Sequence, residues 1–131
     1  MNDHELLELA ARAAGIKARW FKVNQWRRLD GCRLHTGQKD VFGTHHRKPW
    51  NPLDEDGDAL RLAHRLGLAV DMSACVINFA IPDQDDREME IEVALEYEPF
   101  DGDIAHTRRA IVRAAAEIGK SITQPGATSS P

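Results

Sequence analysis

From Arg87 to Tyr97 apolar and acidic residues alternate: Met89, Ile91, Val93, Leu95 and Tyr97 share one parity, and Glu88, Glu90, Glu92, Ala94 and Glu96 share the other. Successive side chains of a β-strand point to opposite faces, so the segment reads as a half-buried strand with a row of carboxylates in water. The rest of the chain has to supply a sheet for this strand and a layer to cover its apolar face.

Three helical segments can provide that layer. Asn2 and Asp3 can cap a helix with Glu5 three residues after Asn2; Leu6, Leu9, Ala10 and Ala13 repeat at helical spacing, and Gly15 stops it. A second helix starts within Asp54–Asp58, where carboxylates meet the positive end of the helix dipole. It carries Ala59, Leu60, Leu62, Ala63 and Leu66, and ends at Gly67. The third follows Asp101 or Asp103 as cap, runs through Ile104, Ile111, Ala115 and Ile118, and closes at Gly119.

Between the helices, Ile16 to Val23, Leu68 to Met72 and Cys75 to Ile81 read as strands, with Cys75, Ile77, Phe79 and Ile81 on one core-facing side. Asp30-Gly31 suits the positive φ of a tight hairpin turn between Trp26–Leu29 and Cys32–His35, whereas Thr36 to Lys48, polar and basic with two glycines, reads as loop. Strands clustered between helices, without strict alternation, favour an α+β fold. The expectation is a mixed or antiparallel sheet of four to five strands packed with three helices as an α/β sandwich. It spans 1–120 as one domain, with a basic insert at 24–49 and a flexible tail at 121–131.

The net charge of −4 conceals an asymmetry. Lys17 to Lys48 holds nine Lys/Arg against Asp30 and Asp40, giving +7 and leaving −11 for the other residues. With 131 residues, 42% of them apolar, the chain is long enough for one core. Its apolar runs are too short for a bilayer span and its N-terminus lacks a signal peptide's regions, so a cytoplasmic protein without a membrane partner is expected. Cys32 and Cys75 need no disulfide; Cys75 reads as core.

Trp50-Asn51-Pro52-Leu53, Asp56-Gly57-Asp58-Ala59-Leu60-Arg61-Leu62-Ala63, Leu66-Gly67-Leu68 and the run from Thr107 to Gly119 resemble small tailed-phage and prophage accessory proteins, of the kind grouped with phage α-β-α sandwich domains and NinX-like proteins. The likeness covers the N-terminal helix and most of the chain from Trp50 onward, while Arg27 to Lys48 lies outside it. It implies a phage accessory protein in the host cytoplasm, of a class that often inhibits host defence systems such as CRISPR-Cas or modulates host enzymes. It supplies no catalytic residues.

Cys32, His35, His45 and His46 are ligand types that zinc accepts, but adjacent histidines in an extended chain point apart, so exposed loop histidines explain them better. Asp54, Asp56 and Asp58 begin like a calcium loop, yet the glycine falls fourth and Arg65 stands where the twelfth-position Glu should be. Helix capping accounts for the same acids. No nucleophile elbow, phosphate loop or dinucleotide pattern occurs, so neither catalytic residues nor a cofactor is expected.

The candidates for partner binding are therefore charged and aromatic surfaces. Trp20, Phe21 and Trp50 read as core, leaving Trp26, Arg27, Arg28, Arg33, His45, His46, Arg47 and Lys48 for a host protein or ribonucleoprotein complex, with nucleic acid as the alternative partner. Glu88, Glu90 and Glu92 form a second candidate surface, since an array of carboxylates can imitate a phosphate backbone; a solvated sheet face explains the same row. His106, Arg108, Arg109 and Arg113 on the third helix could contact phosphate or form its wet side, and the wet side is the preferred reading.

Overall fold

The computed structural model describes residues 1–82, 90–98 and 103–128. In chain order the elements are α1 (Asp3–Ala14), β1 (Arg19–Leu29), β2 (Cys32–Thr44), a short 3-10 turn (His45–Arg47), β3 (Lys48–Pro49), α2 (Asp56–Leu66), β4 (Ala69–Asp71), β5 (Val76–Pro82), β6 (Glu90–Glu96) and α3 (Ala105–Thr128). The architecture is α+β with three helices. The strands form two three-stranded antiparallel sheets, ordered β1-β2-β3 and β4-β5-β6, and not one sheet of four to five strands. The chain divides into two compact units, Met1–Ile16 with Asn51–Pro131 and, separately, Lys17–Trp50.

In the first unit each helix boundary has a local cause. Asn2 accepts from the backbone N–H of Glu5 at 2.8 Å, and Gly15 takes the left-handed conformation that ends α1 at φ 70°. Gly67 ends α2 likewise at φ 66°. Asp103 accepts from the N–H of Ala105 at 2.9 Å and opens α3.

α2 begins differently from the capping expected, because Glu55 makes no side-chain cap bond. The nearby acids serve other groups. Asp54 accepts from the Asn51 side chain, Asp58 accepts from the Asn51 N–H and from Arg61, and Asp56 accepts from Arg108.

α3 is the element around which this unit packs. Ala114, Ala115 and Ala116 are all buried; at about 100° per residue, three consecutive buried positions mean that α3 is covered on more than one side. α1 covers one side with Leu6, Leu7, Ala10, Ala11 and Ala14, α2 contributes Leu62 and Ala63, and β5 adds Ile77 and Phe79.

Gly119 does not close this helix, which runs on to Thr128. A Cβ at 119 would fall inside van der Waals contact with the carbonyl of Leu9, so the glycine is what lets α1 and α3 approach backbone to backbone. The tail expected from residue 121 is thus helical as far as 128, and 129–131 lie outside the described residues.

Three more expectations are corrected. Cys75 is only half-buried: it sits in the β4–β5 turn at φ 56°, where its thiol donates to the Met72 carbonyl at 3.6 Å. Leu60 is exposed, because the buried stripe of α2 is Ala59, Leu62 and Ala63, one position round the helix. Arg108 is not on a wet face. Its Nε donates to the Leu53 carbonyl at 2.8 Å and its Nη1 to Asp56 at 2.6 Å, pinning the entry to α2 onto α3.

In β6, Val93, Leu95 and Tyr97 are half-buried while Glu92, Ala94 and Glu96 are exposed, in line with the alternation; Ile91 is the exception and faces solvent.

Two outcomes follow for this unit. Gly119→Ala forces overpacking at the α1–α3 crossing and should cost about 1–3 kcal/mol in urea unfolding. An unchanged midpoint would mean that the helices separate freely. Asp71 accepts from the N–H of Ala74, the Ser73 hydroxyl and the N–H of Ser73, and the first of these does most to hold its carboxyl below the ordinary aspartate value. Because the folded value is depressed, the stabilisation is present above the unfolded pKa and lost as pH falls through the folded one. A carboxyl 13C titration should place the Asp71 midpoint below that of a free aspartate.

Candidate functional site

The second unit is a long two-stranded ribbon. Leu29 pairs with Cys32, Arg28 with Arg33, Arg27 with Leu34 and Trp26 with His35, around Asp30 at φ 51° and Gly31 at φ 78°, the two positive φ values of a type I′ turn. Thr36 is an extra residue at a bulge between the Gln25 and Trp26 pairings, and the ladder then continues from Gln25–Gly37 to Arg19–Gly43. Eleven residues of β1 at ~3.3 Å each make the ribbon about 36 Å long.

The loop expected over Thr36 to Lys48 is therefore strand as far as Thr44. Pairing with β1 satisfies the backbone groups along one edge of β2 and water reaches the other, so a ribbon exposed on both faces over this stretch needs no apolar alternation.

Alternation and register sort the side chains into two faces. One carries Trp20 and Phe42, Lys22 and Asp40, Asn24 and Gln38, Trp26 and His35, then Arg28 and Arg33. The contacts agree: Trp20 and Phe42 rings lie 4.8 Å apart, Lys22 and Asp40 form a 3.0 Å ion pair, and Asn24 bonds to Gln38 at 3.0 Å. The other face carries Phe21 and Val41, Val23 and Lys39, Arg27 and Leu34, and Leu29 and Cys32.

At the turn end, Trp26 is held between two cross-strand partners. The His35 ring meets it edge-on at 5.0 Å, and the Arg33 guanidinium lies 4.6 Å from its ring centre. Trp26 nevertheless stays 50% exposed. On the opposite face Val23, Leu29 and Leu34 are 40%, 54% and 54% exposed, beside Arg27 and Lys39. Arg27, Arg28 and Arg33 make no ion pair among the described residues.

The structure thus brings Trp26, Arg28 and Arg33 together and sets Arg27 behind them. His35, Val23, Leu29 and Leu34 join this tip although they were not among the expected site residues. The Asp30-Gly31 turn was the signal that could have found three of them, since a two-residue loop fixes the pairs 29–32, 28–33, 27–34 and 26–35.

His45, His46, Arg47 and Lys48 sit at the opposite end of the ribbon, beyond the Arg19–Gly43 pair that itself lies about 23 Å from Trp26 by strand rise. There the two histidine rings are 3.9 Å apart, His46 and Arg47 both have positive φ (64° and 57°), Arg47 reaches over Phe21 at 5.8 Å, and Lys48 pairs with Thr44 in β3. The same end holds the ribbon's only aromatic stack among the described residues, Trp20–Phe42–Trp50, with Phe42 and Trp50 buried and Trp20 and Phe21 half-buried.

Of the acidic candidates, Glu88 lies outside the described residues, Glu90 stands opposite Pro82 in the register of β6, and Glu92 is exposed opposite Ala80 in the first unit. Cys32 and His35 fall on opposite ribbon faces, and no group of three His, Cys, Asp or Glu is placed to hold a metal ion among the described residues.

No family model matches the chain, and neither the curated proteins nor the solved structures hold a match to it. Among the described residues no helix is long and apolar enough to cross a membrane.

Arg33→Ala should remove the cap on Trp26. The Trp26 indole N–H signal should move while those of Trp20 and Trp50 stay in place, and stability should change by no more than about 1 kcal/mol, the scale of an exposed cation–π contact. An unmoved Trp26 signal would show that the guanidinium does not rest on it in solution.

Proposed function

We propose that the chain is a phage-type accessory binding protein that docks a host protein or ribonucleoprotein complex through the β1–β2 ribbon and inhibits or redirects it without chemistry of its own. One observation carries this reading: the ribbon tip exposes Trp26, Leu29 and Leu34 amid Arg27, Arg28 and Arg33. Tryptophan and arginine dominate the energetics of protein interfaces, and apolar surface left in water forgoes about 25 cal/mol per Å2 until a partner covers it. Val23, Leu29 and Leu34 share one face, and an aliphatic strip has nothing to offer phosphate. That favours a partner with an apolar patch inside an acidic rim, for which the ribbon's cations provide steering.

Nucleic acid is the second reading, and a specific feature favours it. A two-stranded ribbon is narrow enough to enter a duplex major groove, and this one brings to its tip three arginines that make no ion pair among the described residues.

Capture from bacterial lysate on the immobilised chain separates the readings. The wild type should retain one stoichiometric protein, resistant to nuclease, and a Trp26→Ala/Leu34→Ala variant should retain about tenfold less. Equal retention by that variant defeats the docking reading. Loss of the partner on nuclease treatment, with affinity falling steeply as salt rises, would turn the assignment to nucleic acid.

A further inference from the structure

A cleft of about 480 Å3 opens in the first unit between α3 and the C-terminal end of β6. One wall is a single helical face, His106, Arg109, Ala110 and Arg113, at spacings of three, four and seven residues. The other wall is Glu96, Tyr97 and Glu98. We propose that this cleft is a binding site for a mononucleotide, whose phosphate sits against Arg109 and Arg113 and whose sugar or base end faces the β6 carboxylates.

The argument starts with the arginines. Guanidinium forks match phosphate oxygens, and two of them one helical turn apart can hold different oxygens of one phosphate. Arg113 is exposed and makes no ion pair among the described residues, while Arg109 uses one terminal nitrogen on Asp3 at 2.9 Å and keeps further donors. Both are therefore open to an anion.

The facing wall restricts which anion. Glu96 and Glu98 repel a second negative group and accept hydrogen bonds, so the ligand must be anionic at one end and rich in N–H or O–H donors at the other. Ribose hydroxyls and a base amino group provide such donors.

Volume and aromaticity narrow the class further. The cleft falls within the usual size of small-molecule sites, and a bare phosphate, only a few water volumes across, would leave most of it unfilled. Ala110 and the aromatic side chain of Tyr97 give the lining an apolar part against which a base could pack. The Tyr97 hydroxyl is buried with no hydrogen-bond partner among the described residues, an omission that folded proteins rarely tolerate without a ligand or water to complete it.

Tyr97 is the chain's one tyrosine, so ring-13C tyrosine labelling places a single reporter in the cleft. AMP, GMP, CMP and UMP are titrated separately to about 10 mM, a range that reveals millimolar binding. At least one should shift the Tyr97 signal saturably without moving the Trp26 indole. Orthophosphate alone should need about tenfold higher concentration, and Arg113→Ala should weaken the nucleotide at least about tenfold while the backbone spectrum remains that of the folded chain.

Absence of saturation with all four nucleotides, unchanged affinity in Arg113→Ala, or orthophosphate matching the nucleotides would each overturn the assignment. The Trp26 indole serves only as a control on the ribbon and no ribbon residue is altered, so the docking reading stands or falls separately.

Discussion

Where α1 crosses α3, the carbonyl of Leu9 lies over a position that can hold no side chain, and Gly119 provides it. The buried residues of both helices are mostly small: Ala10, Ala11 and Ala14 on α1, Ala110, Ala114, Ala115 and Ala116 on α3. Small residues bring helix backbones close, and the short distance multiplies van der Waals contacts that larger side chains would have to make one by one. α3 can then reach α1, α2 and β5 together, and the cleft of the first unit inherits its basic wall from the part of α3 that remains outside this packing.

The ribbon is held by other means. An isolated two-stranded hairpin is marginal in water, because cross-strand pairs each contribute only about 0.2–1 kcal/mol. Here the pairs are varied: an aromatic contact at Trp20 and Phe42, an ion pair at Lys22 and Asp40, a hydrogen bond donated by the Gln38 side chain to Asn24 Oδ1, and the Trp26–His35–Arg33 cluster. Gly43 matters to this unit as Gly119 does to the other, since a Cβ there would meet the Phe21 ring and the Lys48 carbonyl. The residues that hold the ribbon together at its tip are also those that the proposed docking would use.

Where local chemistry decided the outcome, the sequence was legible. Asn2, Gly15 and Gly67 marked helix ends because capping and left-handed backbone are properties of single residues. Asp30-Gly31 marked the hairpin for the same reason. Strand β2 was not legible beyond His35: its polar residues and glycines describe a loop until β1 is there to pair with them. Gly119 misled because a glycine that ends a helix and a glycine that admits a neighbouring helix look alike in one dimension. The cleft joins residues 96–98 to residues 106–113, which no periodicity brings together, and Arg108 reaches Leu53 across 55 positions. Only tertiary structure could reveal either.

Thr36 gives the ribbon one residue more on β2 than β1 can match. A bulge sharpens the local twist and bends the strand that carries it. The stretch anchored by Trp20, Phe42 and Trp50 and the stretch carrying Trp26 and Arg33 therefore point along different axes, as two segments of a finger do on either side of a knuckle. The direction in which the fingertip points is thereby tied to a single inserted amino acid that has no cross-strand partner in the ladder.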